Sequence, residues 1–273
     1  MNKMTVSLFT RTPLHVGCGS AVGAVDLPVL RERATAYPVI PGSTFKGVLA
    51  DIFLEAQGGK LVRTSEGTLL LGNTDTKNAT RGSLLVGELR LAAFPVRSAK
   101  KGFAWVTSPV LLARLGYSFE QKLGEMDAYG SENVAFGDAF VLEEYKLSRK
   151  GDLPEGLCEK LAPLCSNKLW VNSLKERLVI VSDTMLSYFA ENACEIAHHN
   201  RINDNSGIVD NGALFSQENV PSETLFVGEI MARNPGDLKK LQEKIAAEGN
   251  LLQVGADATT GLGWCDVTLR DVK

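Results

Sequence analysis

One aspartate, one histidine and two arginines fall within the segment TPLHVGCGSAVGAVDLPVLRER, residues 12–33, as His15, Asp26, Arg31 and Arg33. A carboxylate in such a loop can hold a divalent cation or accept a proton. An imidazole can shuttle one, and guanidinium groups bind phosphate. The same residues also have plain structural readings. His15 is equally a solvated or packed loop histidine, and Asp26, ahead of Leu27-Pro28, equally a turn residue. The glycine spacing here is not a dinucleotide fingerprint, because no helix follows within a strand–helix–strand unit. A second segment, PVIPGSTFKG at 38–47, reads as a strand end, a tight turn and a helix start carrying Gly42, Ser43, Thr44 and Lys46. Free amides and the helix dipole favour an anion there, and Lys46 adds a point charge for phosphate. The Walker pattern GxxxxGK[ST] is absent, so ATP hydrolysis is not indicated. The bland alternative is an ordinary helix capped by Ser43 or Thr44. A third segment, GADATTGLGW at 255–264, has Gly255, Gly261 and Gly263, which allow positive φ and close approach of backbone amides to a polyanion.

These residues need elements to position them. Residues 4–11 alternate as a strand, and 12–42 follow without regular periodicity, a length usually functional in a compact domain. A helix from 43 places Phe45, Val48, Leu49, Ile52 and Phe53 on one face. Strands are expected at 83–94 and 103–107, with Ser108-Pro109 opening a short helix. Residues 134–147 read as extended and 150–173 as weakly helical. In the second half, strand 176–181 leads to a helix capped by Asp183, then strand 195–203. A long polar arm at about 201–224 carries apolar residues Ile208, Val209, Leu214 and Phe215 at its tip. It reads either as a loop or as a projecting hairpin. Strand 224–232, a helix capped at Asn234-Pro235, and strands 251–255 and 262–270 complete the chain. The β-α-β rhythm of each half predicts an α+β, ferredoxin-like core with an antiparallel sheet. No Pro/Gly/Ser linker separates the halves, so residues 1–273 are expected to form one domain with insertions.

Composition narrows the function classes. The 273 residues are 44% hydrophobic and 22% charged, which excludes global disorder, collagen and a coiled coil. No apolar run is long enough to cross a bilayer as a helix, and the N-terminal residues lack an apolar signal block. Five cysteines without a CxxC unit suggest neither a disulfide framework nor a zinc ribbon, and a reduced, cytoplasmic setting is expected. The formal net charge of −3 argues against non-specific coating of nucleic acid, but leaves room for a local groove of amides and a few basic side chains.

Taken together, the segment 12–49, the run FPVRSAKKGFAWVTSPVLLARL, the arm RINDNSGIVDNGALF with VPSETLF after it, and the C-terminal glycine loop resemble the RAMP superfamily of CRISPR effector proteins. Within it, they look like the repeated backbone subunit of type III-B (Cmr) complexes. The resemblance implies an RNA-recognition-motif-type fold with a thumb hairpin, and copies stacked helically along a CRISPR RNA with other Cmr subunits. It implies that each thumb displaces a nucleotide of the guide–target duplex. It also implies that Asp26 is the catalytic aspartate, His15 its neighbouring histidine and Lys46 a phosphate contact, with Arg31, Arg33, Gly42, Ser43, Thr44 and the glycine loop on the RNA side. The family's two adjacent thumb acids read Gln217-Glu218 here, so the first acid is missing or replaced from elsewhere. The expected activity is guide-directed cleavage of complementary target RNA by ribose 2′-OH attack, assisted by one loosely held Mg²⁺ or Mn²⁺ at Asp26. A non-catalytic scaffold gripping CRISPR RNA is the alternative. An unrelated small-molecule enzyme is a third reading, for which no ligand fingerprint is present.

Overall fold

The alternating N-terminal residues form the strand Asn2–Thr10, which lies between Leu225–Ala232 and Trp264–Asp271 and runs antiparallel to both. The computed structural model describes residues 1–20, 23–73, 78–200, 202, 209 and 214–271. From Val6 onward both faces of this first strand are buried, because the sheet carries apolar packing on each side. Met4, Val6 and Leu8 face one core and Phe9 faces another.

Outward from it, Leu251–Gln253 pairs with the last strand, and Leu225–Ala232 pairs with the first half of the long strand Leu89–Ser98. The second half of Leu89–Ser98 pairs instead with Gly102–Thr107. The sheet continues through Leu178–Val181, Asp127–Gly130, Tyr145–Gly151 and Ala139–Leu142. Ala139–Leu142 returns to Leu89–Ser98 at the pair Ser98–Leu142, closing a six-strand, barrel-like ring. The sheet is therefore mixed rather than antiparallel throughout. Leu178–Val181 runs parallel to Gly102–Thr107, and Tyr145–Gly151 parallel to Asp127–Gly130. The expected alternation of strands and helices did not reveal this, because the reversal is made by insertions between the two halves.

Helices Gly42–Asp51 and Pro235–Ala247 cover the first core with Phe45 and Leu49, and with Leu238, Leu241 and Ile245. The helix Lys168–Arg177 covers the second core with Trp170 and Leu174, where Trp170 meets Trp105 edge-to-face at 4.9 Å between ring centroids. Asn234 caps its helix as expected, accepting from the Gly236 amide. Two other caps differ. Ser182, not Asp183, caps Asp183–Asn192 by accepting from the Met185 amide, which leaves Asp183 inside the first turn accepting from the Val110 amide at 3.0 Å. Helix Gly42–Asp51 has Pro41 at its cap position with no side-chain cap, so Ser43 and Thr44 lie within the first turn. The fixed φ of proline keeps the chain extended up to that point, where Val39–Ile40 still pairs with Leu89 and Arg90.

The arm also begins earlier than its composition suggested. Its ribbon is Glu195–His199 paired antiparallel with Phe215–Asn219, and Val220 onward belongs to the turn into Leu225–Ala232. Beyond the ribbon an isolated bridge joins Ile202 and Val209, while Ile208 lies outside the described residues. All five cysteines are free thiols, and no described helix is long and apolar enough to cross a membrane.

Candidate nuclease site at the root of the arm

The strand Phe215–Asn219 organises the site. One of its edges pairs with Glu195–His199 and the other receives the long irregular segment 12–31. Leu27 bridges Gln217 in parallel, donating to the Ser216 carbonyl at 3.0 Å and accepting from the Glu218 amide at 2.9 Å. Leu14 and Val220 exchange two backbone hydrogen bonds of 2.8 Å. The described residues of the stretch without periodicity are thus held by borrowed strand pairing, a long-range interaction that no local pattern announces.

Asp26 sits at this edge, exposed, one residue before Leu27. Its Oδ2 accepts from the Ser216 amide at 2.7 Å and from the Ser216 hydroxyl at 2.8 Å, while Ser216 Oγ accepts from the Asp26 amide at 3.0 Å. The Ser216 amide, then its hydroxyl, hold the Asp26 carboxyl below the usual carboxylate range, and the nearby His198 acts in the same direction. The carboxylate is therefore ionised at neutral pH, and its bonds to Ser216 are lost only as pH falls through that lowered value.

His15 is placed differently from Asp26. It is buried, and its Nδ1 donates to the Glu218 carbonyl at 2.7 Å. Its own carbonyl accepts from Ala256 of the C-terminal loop at 2.9 Å. That loop presses on His15 because Gly255, at φ 82°, has its backbone where a Cβ would stand 2.2 Å from the His15 carbonyl oxygen. Gly263, at φ 77°, would likewise meet the Val254 carbonyl. These two glycines serve close packing inside the protein, whereas Gly261, at φ 89°, faces open space and suits backbone contact with an anion. Replacing Gly255 with alanine is expected to lower thermal stability by more than Gly261→Ala does. The latter carries only the left-handed backbone penalty of about 1–2 kcal/mol, and thermal unfolding of both variants checks the order.

Arg31 is engaged within the fold. Its guanidinium pairs with Glu218 and donates to the carbonyls of Ala36 and Ala190 at 2.8 Å each. Glu218 Oε2 also accepts from the Val29 amide at 2.9 Å. All of this ties the Asp26 segment to the ribbon. Arg33 remains exposed. Gln217, in the place of the family's first thumb acid, donates to Asn219 Oδ1 at 3.0 Å and to Asp257 Oδ2 at 2.7 Å. A carboxylate from the glycine loop therefore occupies that neighbourhood.

Lys46 and Ser43 are exposed on the first turns of Gly42–Asp51, and Gly42 packs where a Cβ would stand 2.5 Å from the Val86 carbonyl. On the ribbon, Phe215 stacks on His199 with centroids 4.9 Å apart, and Leu214 and Val209 are exposed. Sequence reasoning missed His198. It stands in register with Ser216, so the two side chains share a face beside Asp26. The stretch CEIAHHN gave no signal for this, because only the pairing register creates the juxtaposition.

Among the described residues no group of three or more His, Cys, Asp and Glu side chains is placed to hold a metal ion. A lone exposed carboxylate fits the mode in which Mg²⁺ keeps most of its waters and takes one carboxylate plus substrate phosphate oxygens. It does not fit a protein-built cage.

The family model described as the RAMP superfamily matches residues 8–266. The chain belongs to the RAMP superfamily. Among RAMP proteins, a Pyrococcus furiosus relative named CRISPR system Cmr endoribonuclease Cmr4 is 31% identical over all of this chain and 97% of its own length. The crystal structure of oligomeric Cmr4 from the same organism matches with a TM-score of 0.77 and 27% identity, covering 100% of this chain and 99% of that one. A chain from a type III-B Cmr-β complex bound to cognate target RNA, at 18% identity, has a TM-score of 0.77 over 98% of this chain and 97% of its own. This last likeness speaks to the RAMP fold alone.

Proposed function

We propose that this chain is a backbone subunit of a type III-B CRISPR effector complex. It binds CRISPR RNA, stacks with copies of itself beside other Cmr subunits in the cytoplasm, and cleaves complementary target RNA at regular intervals. The observation that carries the reading is Asp26, an ionised and exposed carboxylate fixed by Ser216 at the root of a projecting ribbon. The full-length likeness to a named Cmr endoribonuclease supports it.

The fold reading is also finer than a mixed sheet. The strands Trp264–Asp271, Asn2–Thr10, Leu225–Ala232 and Leu89–Ser98 lie side by side in that order. Helices Gly42–Asp51 and Ser65–Leu71 fall between the first and second of them in chain order, and Pro235–Ala247 between the third and fourth. This is the arrangement of a ferredoxin-like, RNA-recognition-motif-type unit, into which the barrel-like ring and the arm are inserted within one domain. In that frame the ribbon is the thumb, and its exposed Val209, Leu214 and Phe215 are the wedge that interrupts base stacking.

In the reaction, the 2′-oxygen of the displaced nucleotide forms a bond to the adjacent phosphorus, and the bond from phosphorus to the 5′-oxygen breaks. The products are a 2′,3′-cyclic phosphate and a 5′-hydroxyl. A-form geometry keeps the 2′-OH out of line, so displacement of the nucleotide supplies the alignment. Asp26 orients the ribose and solvent at this point, and Ser216 keeps its charge in place. A divalent cation held by Asp26, Mg²⁺ or Mn²⁺, would neutralise charge developing on the phosphate.

Lys46, with Gly42, Ser43 and Thr44 behind it, serves the guide backbone. Lys46→Glu is expected to weaken guide retention by about tenfold or more, and wild-type retention is expected to fall with salt as phosphate contacts require. Filter binding across ionic strengths checks both. Equal retention by Lys46→Glu at matched salt would limit this turn to a structural role. The whole reading is tested by assembling the complex on a CRISPR RNA and adding complementary target. Absence of regularly spaced cuts would refute it.

A further inference from the structure

The ribbon pairs Glu195–His199 with Phe215–Asn219 so that His198 stands directly opposite Ser216. Directly opposed residues of an antiparallel pair place their Cβ atoms about 4.5–5.5 Å apart on one face. Ser216 is the residue that grips Asp26, through its amide and its hydroxyl. One serine is therefore flanked by an exposed carboxylate on one side and an exposed imidazole on the other. His15, the histidine nearer to Asp26 in sequence, is buried beneath the glycine loop with Nδ1 committed to the Glu218 carbonyl.

Building on the nuclease reading above, we propose that His198 is a catalytic residue of this chain, the general acid that protonates the leaving 5′-oxygen. The step balances without an external reagent. As the bond from the 2′-oxygen to phosphorus forms, the 2′-OH proton passes to solvent water at Asp26. As the bond from phosphorus to the 5′-oxygen breaks, that oxygen takes the imidazolium proton, and His198 regains a proton from solvent. Division of labour follows from the two environments. The Asp26 carboxylate, whose Oδ2 accepts from the Ser216 amide and hydroxyl, is placed to orient the ribose and solvent. An imidazole is the side chain suited to giving and regaining a proton near neutrality. The exposure of both side chains leaves them open to a target phosphate from outside the chain.

The test uses complexes in which every copy carries His198→Ala, with an all-oxygen target and a target bearing sulfur in place of the bridging 5′-oxygen at one cut position. Sulfur leaves without needing a proton. The expected result is oxygen-target cleavage slowed by about 10²-fold or more, the sulfur position cut at the wild-type rate, and guide and target binding unchanged. His198→Gln should behave as His198→Ala. Wild-type cutting of the oxygen target by His198→Ala would overturn the proposal, as would equal slowing on both targets, which marks a merely structural role. A wild-type complex that cuts neither target would instead refute the nuclease reading on which the proposal rests.

Discussion

Asp26→Asn in every copy is expected to abolish target cleavage, by about 10²-fold or more, while leaving assembly and target binding intact. Asparagine keeps the shape of the side chain, and its amide oxygen can still accept from the Ser216 amide and hydroxyl that now meet Oδ2. The segment from Leu27 to Arg31 is held independently, by bridging to Gln217 and by the Val29 and Arg31 contacts with Glu218. Geometry therefore survives and only charge is lost. Gel analysis of cleavage and filter binding on the same preparations separate the two. Loss of binding together with cleavage would mean that Asp26 is a structural element of the edge. Full cleavage would make the chain a scaffold and place the chemistry in another subunit.

The second large effect concerns stability. Glu218 is nearly buried, and it carries both the Arg31 guanidinium and the Val29 amide. Glu218→Ala leaves a largely enclosed cation without its partner, a change that costs about 3–5 kcal/mol when one member of a buried pair is removed. At about 2–4 °C per kcal/mol for a chain of this size, the melting temperature is expected to fall by roughly 6–20 °C. Arg31→Met combined with Glu218→Ala should lose less than the sum of the two single changes, because no unpaired charge is left behind. Thermal unfolding of the three variants checks this. An unchanged melting temperature in Glu218→Ala, or strict additivity, would show that the pair does not anchor the Asp26 segment.

How far the sequence foretold these arrangements depended on whether a feature is local. The strand Asn2–Thr10, the face of Gly42–Asp51 and the Asn234 cap follow from period and capping chemistry within a few residues, and each was legible. The parallel pairs of the barrel-like ring were not, because strand direction is decided by partners far along the chain. The same holds at the site. Asp26 could be singled out as a lone carboxylate between apolar residues, but its hold on Ser216 spans 190 positions. Arg31 looked like a phosphate ligand by residue type. Only the fold shows that Glu218 and two carbonyls occupy its donors. Gln217 reads as a lost acid in the sequence, and the fold sets the Asp257 carboxylate beside it. His198 is the extreme case, since its place opposite Ser216 depends entirely on register across the ribbon.

Cleavage at Asp26 is expected to use the ribose 2′-OH of a displaced target nucleotide as the attacking group. The most direct test is a complementary target with a single 2′-deoxy substitution at one cut position, cleaved by the wild-type complex. This position alone is expected to resist cleavage, while the other cuts keep their spacing and rate and yield 2′,3′-cyclic phosphate ends. Undiminished cutting at the deoxy position would contradict it, because the nucleophile would then have to come from water or the protein.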